Sequence, residues 1–332
     1  MRVKALSLRH SIILIMKLIR STVLIAALFV CLSANSQETK VSVSRFKDGK
    51  ACASSFTFDD GTRDNYTIAA PELERLGWRG TFWLNCSKLQ GEIHGKPNKM
   101  TWDDVCDLHA RGHEVSNHGW EHKNLKNISY EEAVAEIHKN DSALFAHTGV
   151  MPTTFCYPYN AKNDEIVALA SKGRVGTRTF QFSFGQRSND EKSRTRIENA
   201  IKDGTWAVWM THGITEGYDY FEDQSRFFSF LQYVKEREAH IWVATFREVA
   251  AYIAERDAVQ LSEQKKGKNI YVVPSCDLDP SLYDMPLTMC VAGETRVRVW
   301  QDGHRLPVLT KDGNSYFDFN PYGGRIRVCL GR

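Results

Sequence analysis

The chain has 332 residues, of which 42% are hydrophobic, which is enough for one sizeable globular domain and a smaller one. Its 43 Lys and Arg residues nearly balance its 40 Asp and Glu residues, giving a formal net charge of +3. Because no basic block of the kind that follows a phosphate backbone is present, the composition argues against nucleic acid as a partner.

Residues 1–36 predict an export signal. A short basic start at Met16–Arg20 precedes an apolar run at Thr22–Leu32, and small residues at 33–37 then supply a cleavage region. The apolar run is short for a bilayer span, although an uncleaved membrane anchor is the alternative. A second apolar patch before Met16 favours translation starting at that methionine. We therefore expect an exported, periplasmic or extracellular protein with no membrane span after cleavage.

The cysteines do not indicate a structural framework. Seven of the eight follow the predicted signal, and none forms a CxxC pair. Neither a zinc knuckle nor a disulfide network is therefore predicted. Cys52, Cys156 and Cys329 lie in apolar runs typical of strands, and we expect them to be small buried residues.

From residue 51 onward, short apolar runs typical of β-strands alternate with segments of helical periodicity. The predicted strands are Ala51–Phe58, Gly80–Asn85, His113–Ser116, Thr153–Tyr157, Arg174–Phe180, Trp206–Thr211 and His240–Ala244. The predicted helices are Pro71–Leu76, Trp102–His109, Glu131–Phe145, Asp164–Ser171, Phe227–Glu238 and Phe246–Glu255. Capping-box pairs begin at Thr101, Ser129 and Thr245. This alternation predicts an α/β fold, a distorted (β/α) barrel with a missing or irregular unit.

The character of the sequence changes near residue 259. We assign 45–258 to the barrel and the polar, lysine-rich residues 259–268 to a linker. Beyond the linker, Val291–Trp300 and Arg325–Leu330 alternate as strands do, and two Asp-Gly pairs are typical of hairpin turns. Residues 269–332 therefore predict a small β-sandwich-like accessory domain.

Polar clusters follow the carboxyl ends of the first, third, fourth and sixth predicted strands. In a parallel α/β barrel these ends share one face, where catalytic residues collect. Segments that are distant in the chain are therefore expected to converge on one pocket. The clustered residues are Asp59, Asp60, His118, His122, Pro158, Tyr159 and His212.

The spacing of two histidines favours a metal site. His118 and His122 are four residues apart, and two neutral imidazoles with one carboxylate make an open site for zinc or a similar divalent ion. Two surface histidines would show the same spacing, and the Asp-Asp-Gly that begins at Asp59 is also common in turns. His212 follows an apolar run and fits a hydrogen-bonded core histidine equally well.

Four segments, in this order, resemble the motifs of the NodB-type polysaccharide deacetylases, carbohydrate esterase family 4. The segments are Thr57–Gly61 (TFDDG), Asn117–His122, Tyr157–Tyr159 and Met210–Gly213. The resemblance covers about residues 50–256. It implies a metal-dependent hydrolase that removes acetyl groups from a polysaccharide, N-acetyl from amino sugars in preference to O-acetyl from xylan. It also implies a metal held by Asp60, His118 and His122, with Zn²⁺ preferred and Co²⁺ or Ni²⁺ as alternatives.

The resemblance further implies that Asp59 is the general base for water and that His212 is the general acid for the leaving group. The backbone N–H of Tyr159 would help to hold the oxyanion. One departure affects this set, because Cys156 stands where the family commonly has an arginine that holds the catalytic carboxylate. A thiol cannot give the two charged hydrogen bonds of a guanidinium. We expect Arg178, near the end of the next predicted strand, to take over this task.

Two other functions stay open. The segment from His118 to His122 also fits the H-x-x-E-H pattern of inverzincin metallopeptidases, with Glu198 available as a third ligand. A catalytically inactive carbohydrate-binding barrel is the other alternative, because of the change at Cys156. Aromatic candidates for stacking on sugar rings are Trp120, Tyr159, Trp209 and Tyr218.

Overall fold

The computed structural model describes residues 41–93 and 96–331. The predicted export signal at residues 1–36 lies outside this part of the chain. No helix of the described residues is long and apolar enough to cross a membrane. The strands are β1 (Val41–Val43), β2 (Cys52–Phe58), β3 (Thr81–Leu84), β4 (Glu92–Ile93), β5 (Lys96–Pro97), β6 (Glu114–Asn117), β7 (Thr154–Cys156), β8 (Gly176–Arg178), β9 (Phe182–Ser183), β10 (Trp206–Thr211), β11 (Ile241–Val243), β12 (Gln260–Lys266), β13 (Asn269–Ser275), β14 (Leu287–Val291), β15 (Val297–Gln301), β16 (His304–Leu306), β17 (Leu309–Lys311), β18 (Asn314–Phe319) and β19 (Ile326–Leu330).

Most of the helices connect the strands of the first half of the structure. They are α1 (Ala70–Arg75), α2 (Trp102–Ala110), α3 (Tyr130–Thr148), α4 (Asp164–Ser171), α5 (Asp190–Asp203), α6 (Ser225–Lys235) and α7 (Phe246–Ala258). The three predicted capping boxes are confirmed at the starts of α2, α3 and α7. Helix α5 was not predicted, because its sequence is largely charged and buries only Ser193, Ile197 and Ala200.

Eight parallel strands form the main sheet, and the predicted α/β fold is confirmed. The strand order is β8-β7-β6-β3-β2-β10-β9, and β11 pairs with the first half of β2. β2 is central, and all seven of its residues are buried. β8 and β9, at the two ends, do not pair with each other in the described chain, so the barrel is incomplete as expected.

The core between this sheet and its helices is rich in aromatic side chains. Trp209 of β10 has no exposed surface, and its ring centroid lies 4.7 Å from that of Phe230. Its indole N–H donates to Ser54 Oγ at 3.0 Å, so its polar atom is also satisfied inside the core. The prediction that Trp209 stacks on a sugar is therefore wrong.

Two antiparallel sheets follow the barrel, and the predicted β-sandwich is confirmed. Their strand orders are β1-β14-β18-β17 and β12-β13-β19-β15-β16. Side chains from both sheets form one hydrophobic core, which also includes Tyr252 of α7. β1 was not predicted as part of this unit, and it pairs with β14 from Val41↔Val291 to Val43↔Met289.

The predicted linker at 259–268 is wrong for most of its length. Residues Gln260–Lys266 form β12, which pairs with β13 through a hairpin turn at Gly267. β12 is an edge strand with mostly exposed side chains, so it lacks the apolar alternation by which strands are recognised.

The cysteines are unpaired throughout the described residues. Cys52 and Cys156 are buried as expected. Cys329 is only half-buried, because its Sγ faces outward from β19 and donates to Asn269 Oδ1 at 2.9 Å. The expectation of a buried Cys329 is therefore wrong.

Candidate active site

The register of the central strands brings two distant segments together. Phe58, the last residue of β2, is paired with Thr211, the last residue of β10. Asp59 and His212 therefore leave neighbouring strands at the same level of the sheet. The backbone N–H of Asp59 continues the pairing, donating to the Thr211 carbonyl at 2.9 Å.

A cavity of about 630 Å³ opens at the carboxyl ends of these strands. The seven residues for which the sequence predicts a catalytic or metal-binding role all line it, whereas Pro158 does not. Several residues that were not predicted also line it. The residues around the cavity are Asp59, Asp60, His118, His122, Tyr157, Tyr159, Asn160, Arg178, Gln181, Met210, His212 and Tyr218.

Asp60, His118 and His122 form a cluster on one side of the cavity. Asp60 Oδ1 lies 3.5 Å from His118 Nε2 and 3.4 Å from His122 Nε2. The same oxygen is buried and has no hydrogen-bond partner among the described residues. One carboxylate oxygen and two imidazole nitrogens are the donors that zinc and similar divalent ions prefer, so the cluster fits such an ion.

The two histidines differ in how they are held. His118 Nδ1 lies 2.9 Å from the Cys156 carbonyl, so the N–H is on Nδ1 and Nε2 is the atom that faces Asp60. Burial, followed by the neighbouring His118, lowers the pKa of His122 to about 4. His122 is therefore a neutral imidazole near pH 7, the form that can bind a metal ion.

Buried amides hold the loop that carries these histidines. Asn85 Nδ2 donates to the carbonyls of His118 at 2.5 Å and Gly119 at 3.0 Å. Asn117 Oδ1 accepts from the Gly119 N–H at 2.7 Å and from Asn140 Nδ2 at 3.0 Å. Because these bonds satisfy backbone groups away from water, they give the loop one preferred conformation.

Asp59 and Arg178 form a two-pronged ion pair at the base of the cavity. Nη1 of Arg178 lies 2.8 Å from Asp59 Oδ1, and Nη2 lies 2.5 Å from Oδ2. Nη1 also donates to Thr57 Oγ1 at 2.6 Å, which fixes the plane of the guanidinium. Both side chains are 3% exposed. The structure thus places Arg178 where the sequence predicted a substitute for the missing arginine.

The charge of Arg178 decides the ionisation of Asp59. Burial alone would raise the pKa of Asp59, but Arg178 outweighs it and holds that pKa below its ordinary value. Asp59 is therefore a carboxylate near neutral pH. The Cys156 thiol lies 4.0 Å from Asp59 Oδ2, and burial raises the pKa of this thiol, so it adds no negative charge.

His212 lines the same cavity in a half-buried position. Its carbonyl accepts from Asn65 Nδ2 at 2.8 Å, and its ring meets that of Tyr218 edge to face at 5.0 Å. A Cβ on the next residue, Gly213, would lie 1.8 Å from the Glu216 carbonyl oxygen. Glycine is therefore required after this histidine because of close backbone approach.

A buried aspartate that the sequence analysis missed organises the same loop. Asp64 Oδ2 accepts from the backbone N–H groups of Ile214 at 2.7 Å, Thr215 at 2.5 Å and Glu216 at 3.2 Å. Asp64 and the loop are far apart in the sequence, and its partners are backbone atoms, which carry no residue signature. The one sequence signal for Asp64 is its position a few residues after Asp59 and Asp60.

The rim of the cavity carries two exposed tyrosines and an unpaired amide. Tyr159, which is 68% exposed, has a left-handed backbone at φ +58° and lies with its ring 4.5 Å from that of His122. Tyr218 is also exposed, and both tyrosines are accessible for stacking on a sugar. Gln181 Oε1 is buried and has no hydrogen-bond partner in the described part of the chain. The sequence analysis did not identify Gln181, because it lies in no motif.

Glu198 does not join the histidine cluster. Its Oε1 accepts from Tyr233 Oη at 2.5 Å and from Arg237 Nε at 2.6 Å, in an exposed network between α5 and α6. The prediction that Glu198 is the third metal ligand of a metallopeptidase is therefore wrong. Trp120, another candidate for sugar stacking, packs against the hydrophobic core and does not line the cavity.

Residues 47–176 match the family model described as polysaccharide deacetylase. This segment belongs to the polysaccharide deacetylase family. The deacetylase-family segment contains Asp59, Asp60, His118 and His122, and it ends at Gly176, two residues before Arg178.

Relatives of the deacetylase-family segment are named for two polymers. The peptidoglycan-N-acetylglucosamine deacetylase PgdA of Listeria monocytogenes is 31% identical over 111 residues, which are 33% of this chain and 22% of that protein. The chitin deacetylase of Pestalotiopsis sp. is 28% identical over 120 residues, which are 36% of this chain and 38% of that protein. The chain thus matches well under half of the length of either relative.

Among solved structures, the Xyl-CE4 domain of a multidomain xylanase from the hindgut metagenome of Trinervitermes trinervoides is similar to this chain. The two are 20% identical with a TM-score of 0.44, and the similarity covers 60% of this chain and 89% of that domain.

Proposed function

We propose that this chain is a metal-dependent hydrolase that removes acetyl groups from a polysaccharide, acting on the N-acetyl groups of amino sugars in preference to O-acetyl groups of xylan. The observation that carries the proposal is a single cavity in which an ionised carboxylate, Asp59, lies beside the Asp60, His118 and His122 cluster. The match to the polysaccharide deacetylase family supports the substrate class.

The metal site follows from the donor set. Asp60, His118 and His122 would hold a divalent cation, Zn²⁺ by preference and Co²⁺ or Ni²⁺ as alternatives. When bound, such a cation supplies a Lewis acid that polarises the acetyl carbonyl and makes water more acidic.

Asp59 takes the proton of the attacking water in this proposal. Both of its oxygens accept from Arg178, but a carboxylate oxygen has a second lone pair, so each retains the capacity to accept a proton. Arg178 acts on Asp59 as a positioning residue, since it fixes the direction of the carboxylate and keeps it ionised. Proton transfer at a fixed position contributes typically about 10²- to 10⁴-fold to a rate.

His212, which lines the same cavity as Asp59, gives a proton to the departing amine or alcohol. Its loop is fixed by Asn65 and Asp64, so the imidazole has a defined position relative to the strand ends. The backbone N–H of Tyr159 would stabilise the negative charge that develops on the acetyl oxygen.

The proposal includes export, which rests on the basic, apolar and small-residue order of residues 16–37. The names of the relatives of this chain favour an N-acetylglucosamine polymer as its substrate.

The deciding experiment is acetate release by the purified, zinc-loaded protein from a panel of acetylated glycans. Chitin oligomers and peptidoglycan should release acetate faster than acetylated xylan does, and the Asp59→Asn variant should release little from any of them. Glycan retention without acetate release by the wild-type protein would instead identify an inactive carbohydrate-binding barrel.

A further inference from the structure

The outer face of the five-stranded sheet in the β-sandwich has an unusual composition. Along its strands, apolar side chains such as Val272, Val299 and Val328 point into the core, so their neighbours point outward. No outward position of these five strands is Asp or Glu. The outward residues include Lys266, Tyr271, Arg298, Trp300, Arg305 and Arg327, and Arg325 precedes the last strand on the same side.

Arginine and aromatic side chains alternate across this face. Tyr271 is paired with Arg327, Arg327 with Trp300, and Trp300 with Arg305, on four consecutive strands. The guanidinium of Arg327 lies 4.6 Å from the centre of the Trp300 ring, and that of Arg325 lies 5.0 Å from the centre of the Tyr271 ring. Neighbouring strands are ~4.8 Å apart, so the row forms a continuous band. Stacking holds the guanidinium groups flat on the sheet.

The cations of this band have no acidic partners. Among the residues that the structure describes, Arg298, Arg305, Arg325 and Arg327 form no salt bridge, and neither does Lys266. The other arginines differ, since most of those on the barrel are paired with carboxylates. Five exposed, unpaired cations on one flat surface repel one another, so a polyanion laid across them would lower the free energy.

We propose that this face binds an anionic polysaccharide through carboxylate groups spaced along the polymer. A guanidinium gives a carboxylate two parallel hydrogen bonds, and a flat band of guanidinium groups fits an extended chain. The preference for a polysaccharide over another polyanion rests in part on the proposed function. It also rests on geometry, because an arginine covers one face of the Trp300 ring and another covers one face of the Tyr271 ring. Proteins that bind single-stranded nucleic acid stack bases on such faces, so the covered rings argue against nucleic acid.

The test is affinity electrophoresis of the full purified protein in gels that contain polygalacturonate. The wild-type protein should be retarded, and retardation should weaken with added salt. Methyl-esterified polygalacturonate, which has the same backbone without the charge, should not retard it. Equal retardation by the esterified polymer, or tighter binding to a single-stranded oligonucleotide than to polygalacturonate, would overturn the proposal.

Variants locate the binding to the band. Arg298→Ala with Arg327→Ala should weaken binding by roughly tenfold or more, since each removes a charge-assisted contact. Arg327→Lys keeps the charge without the planar stack and should weaken binding less. Arg194→Ala is the matched control, because Arg194 also stacks on a tyrosine, at 5.2 Å from the Tyr233 ring, but on the barrel. If the band variants bind as the control does, the proposal is wrong.

The same assay separates this inference from the proposed function. Asp59→Asn should be retarded as the wild-type protein is, because Asp59 lies in the cavity and not on the sheet. Retardation without acetate release from any glycan would leave the binding face in place and remove the catalytic proposal. Acetate release without retardation would support the catalytic proposal and rule out the binding face.

Discussion

Cys156 and Arg178 are register partners on the adjacent strands β7 and β8, and both side chains reach the carboxylate of Asp59. The thiol and the guanidinium therefore share one buried space. Moving an arginine from one of these positions to the other shifts its origin by one strand spacing, ~4.8 Å. The guanidinium still meets Asp59 because Cys156 is small enough to leave room for it.

Removing this guanidinium should lower the proposed activity without emptying the proposed metal site. In Arg178→Ala, Asp59 keeps its burial and loses the charge that lowers its pKa, so the pKa should rise. We expect kcat to fall by about 100-fold or more and the acidic limb of the kcat/KM profile to move to higher pH. Zinc content, measured by plasma mass spectrometry, should stay near wild type. An unchanged pH profile would contradict the positioning role.

A control variant and a double variant test the role of Arg178 further. Arg194→Ala should behave as wild type, whereas Arg174 is unsuitable because it is buried and donates to Asp141 at 2.5 Å. The double variant Cys156→Arg with Arg178→Ala should recover part of the lost kcat. A double variant no better than Arg178→Ala would show that the two positions are not interchangeable.

Metal binding should depend on the cluster and not on Glu198. His122→Ala removes one of three donors, so the purified protein should lose its zinc and its activity. Glu198→Ala should keep both, since that carboxylate pairs with Arg237 instead. Asp59→Asn should retain zinc while kcat falls. Wild-type zinc content in His122→Ala would remove the proposed site.

Gln181 should contribute to substrate binding. Its Oε1 lines the cavity without a partner, so a donor on the substrate, such as the N–H of an acetamido group, would satisfy it. Gln181→Ala should raise KM by about three- to tenfold with little change in kcat, the size of one neutral hydrogen bond. Gln232→Ala, on the exposed surface of α6, is the control. A fall in kcat at unchanged KM would point to a different role.

A buried carboxyl where α7 meets the β-sandwich should make stability depend on pH. Glu255 has no exposed surface, its Oε2 accepts from the Met285 N–H at 3.0 Å, and burial raises its pKa to about 7. Its ordinary value in an unfolded chain is about 4.3. Because the folded pKa is the higher one, the folded state favours the protonated form. Its stabilising effect is complete below about pH 4.3 and is lost as the pH rises through 7.

Glu255→Gln imitates the protonated carboxyl at every pH. We expect the variant to match the wild-type protein in thermal stability near pH 4.5 and to exceed it at pH 8, by up to about 4 kcal/mol. Glu236→Gln, at an exposed position after α6, should change neither value. Parallel melting curves of the wild-type protein and Glu255→Gln across this range would contradict the assignment.

The predicted site residues could be found from sequence because each lies at the end of a strand or shortly after it. Strand ends are marked by a change from apolar to polar residues, and a parallel sheet aligns them. Asp59 and His212 show this most directly, since the register of β2 with β10 is the physical reason that they meet.

Other features had no such signal. Gln181 lies in the connection between β8 and β9, which are the two end strands of the sheet. No local sequence pattern indicates that this connection borders the cavity. Asp64 acts through backbone N–H groups, so its partners have no residue identity to recognise. β12 was assigned to a linker because an edge strand is held by backbone hydrogen bonds alone and its side chains are free to be polar.

The pairing of β1 with β14 also determines the order in which the structure can form. Val41 precedes the whole barrel in the chain, whereas its partner Val291 follows it. During synthesis the amino end emerges first, so all strands of the barrel have been made before β14 is available. Until then β1 has no strand to pair with. Contacts between residues this distant close late and slow folding. We therefore expect the β-sandwich to form after the barrel. A nascent chain that stops before β14 would leave the backbone edge of β1 unpaired and accessible to other proteins.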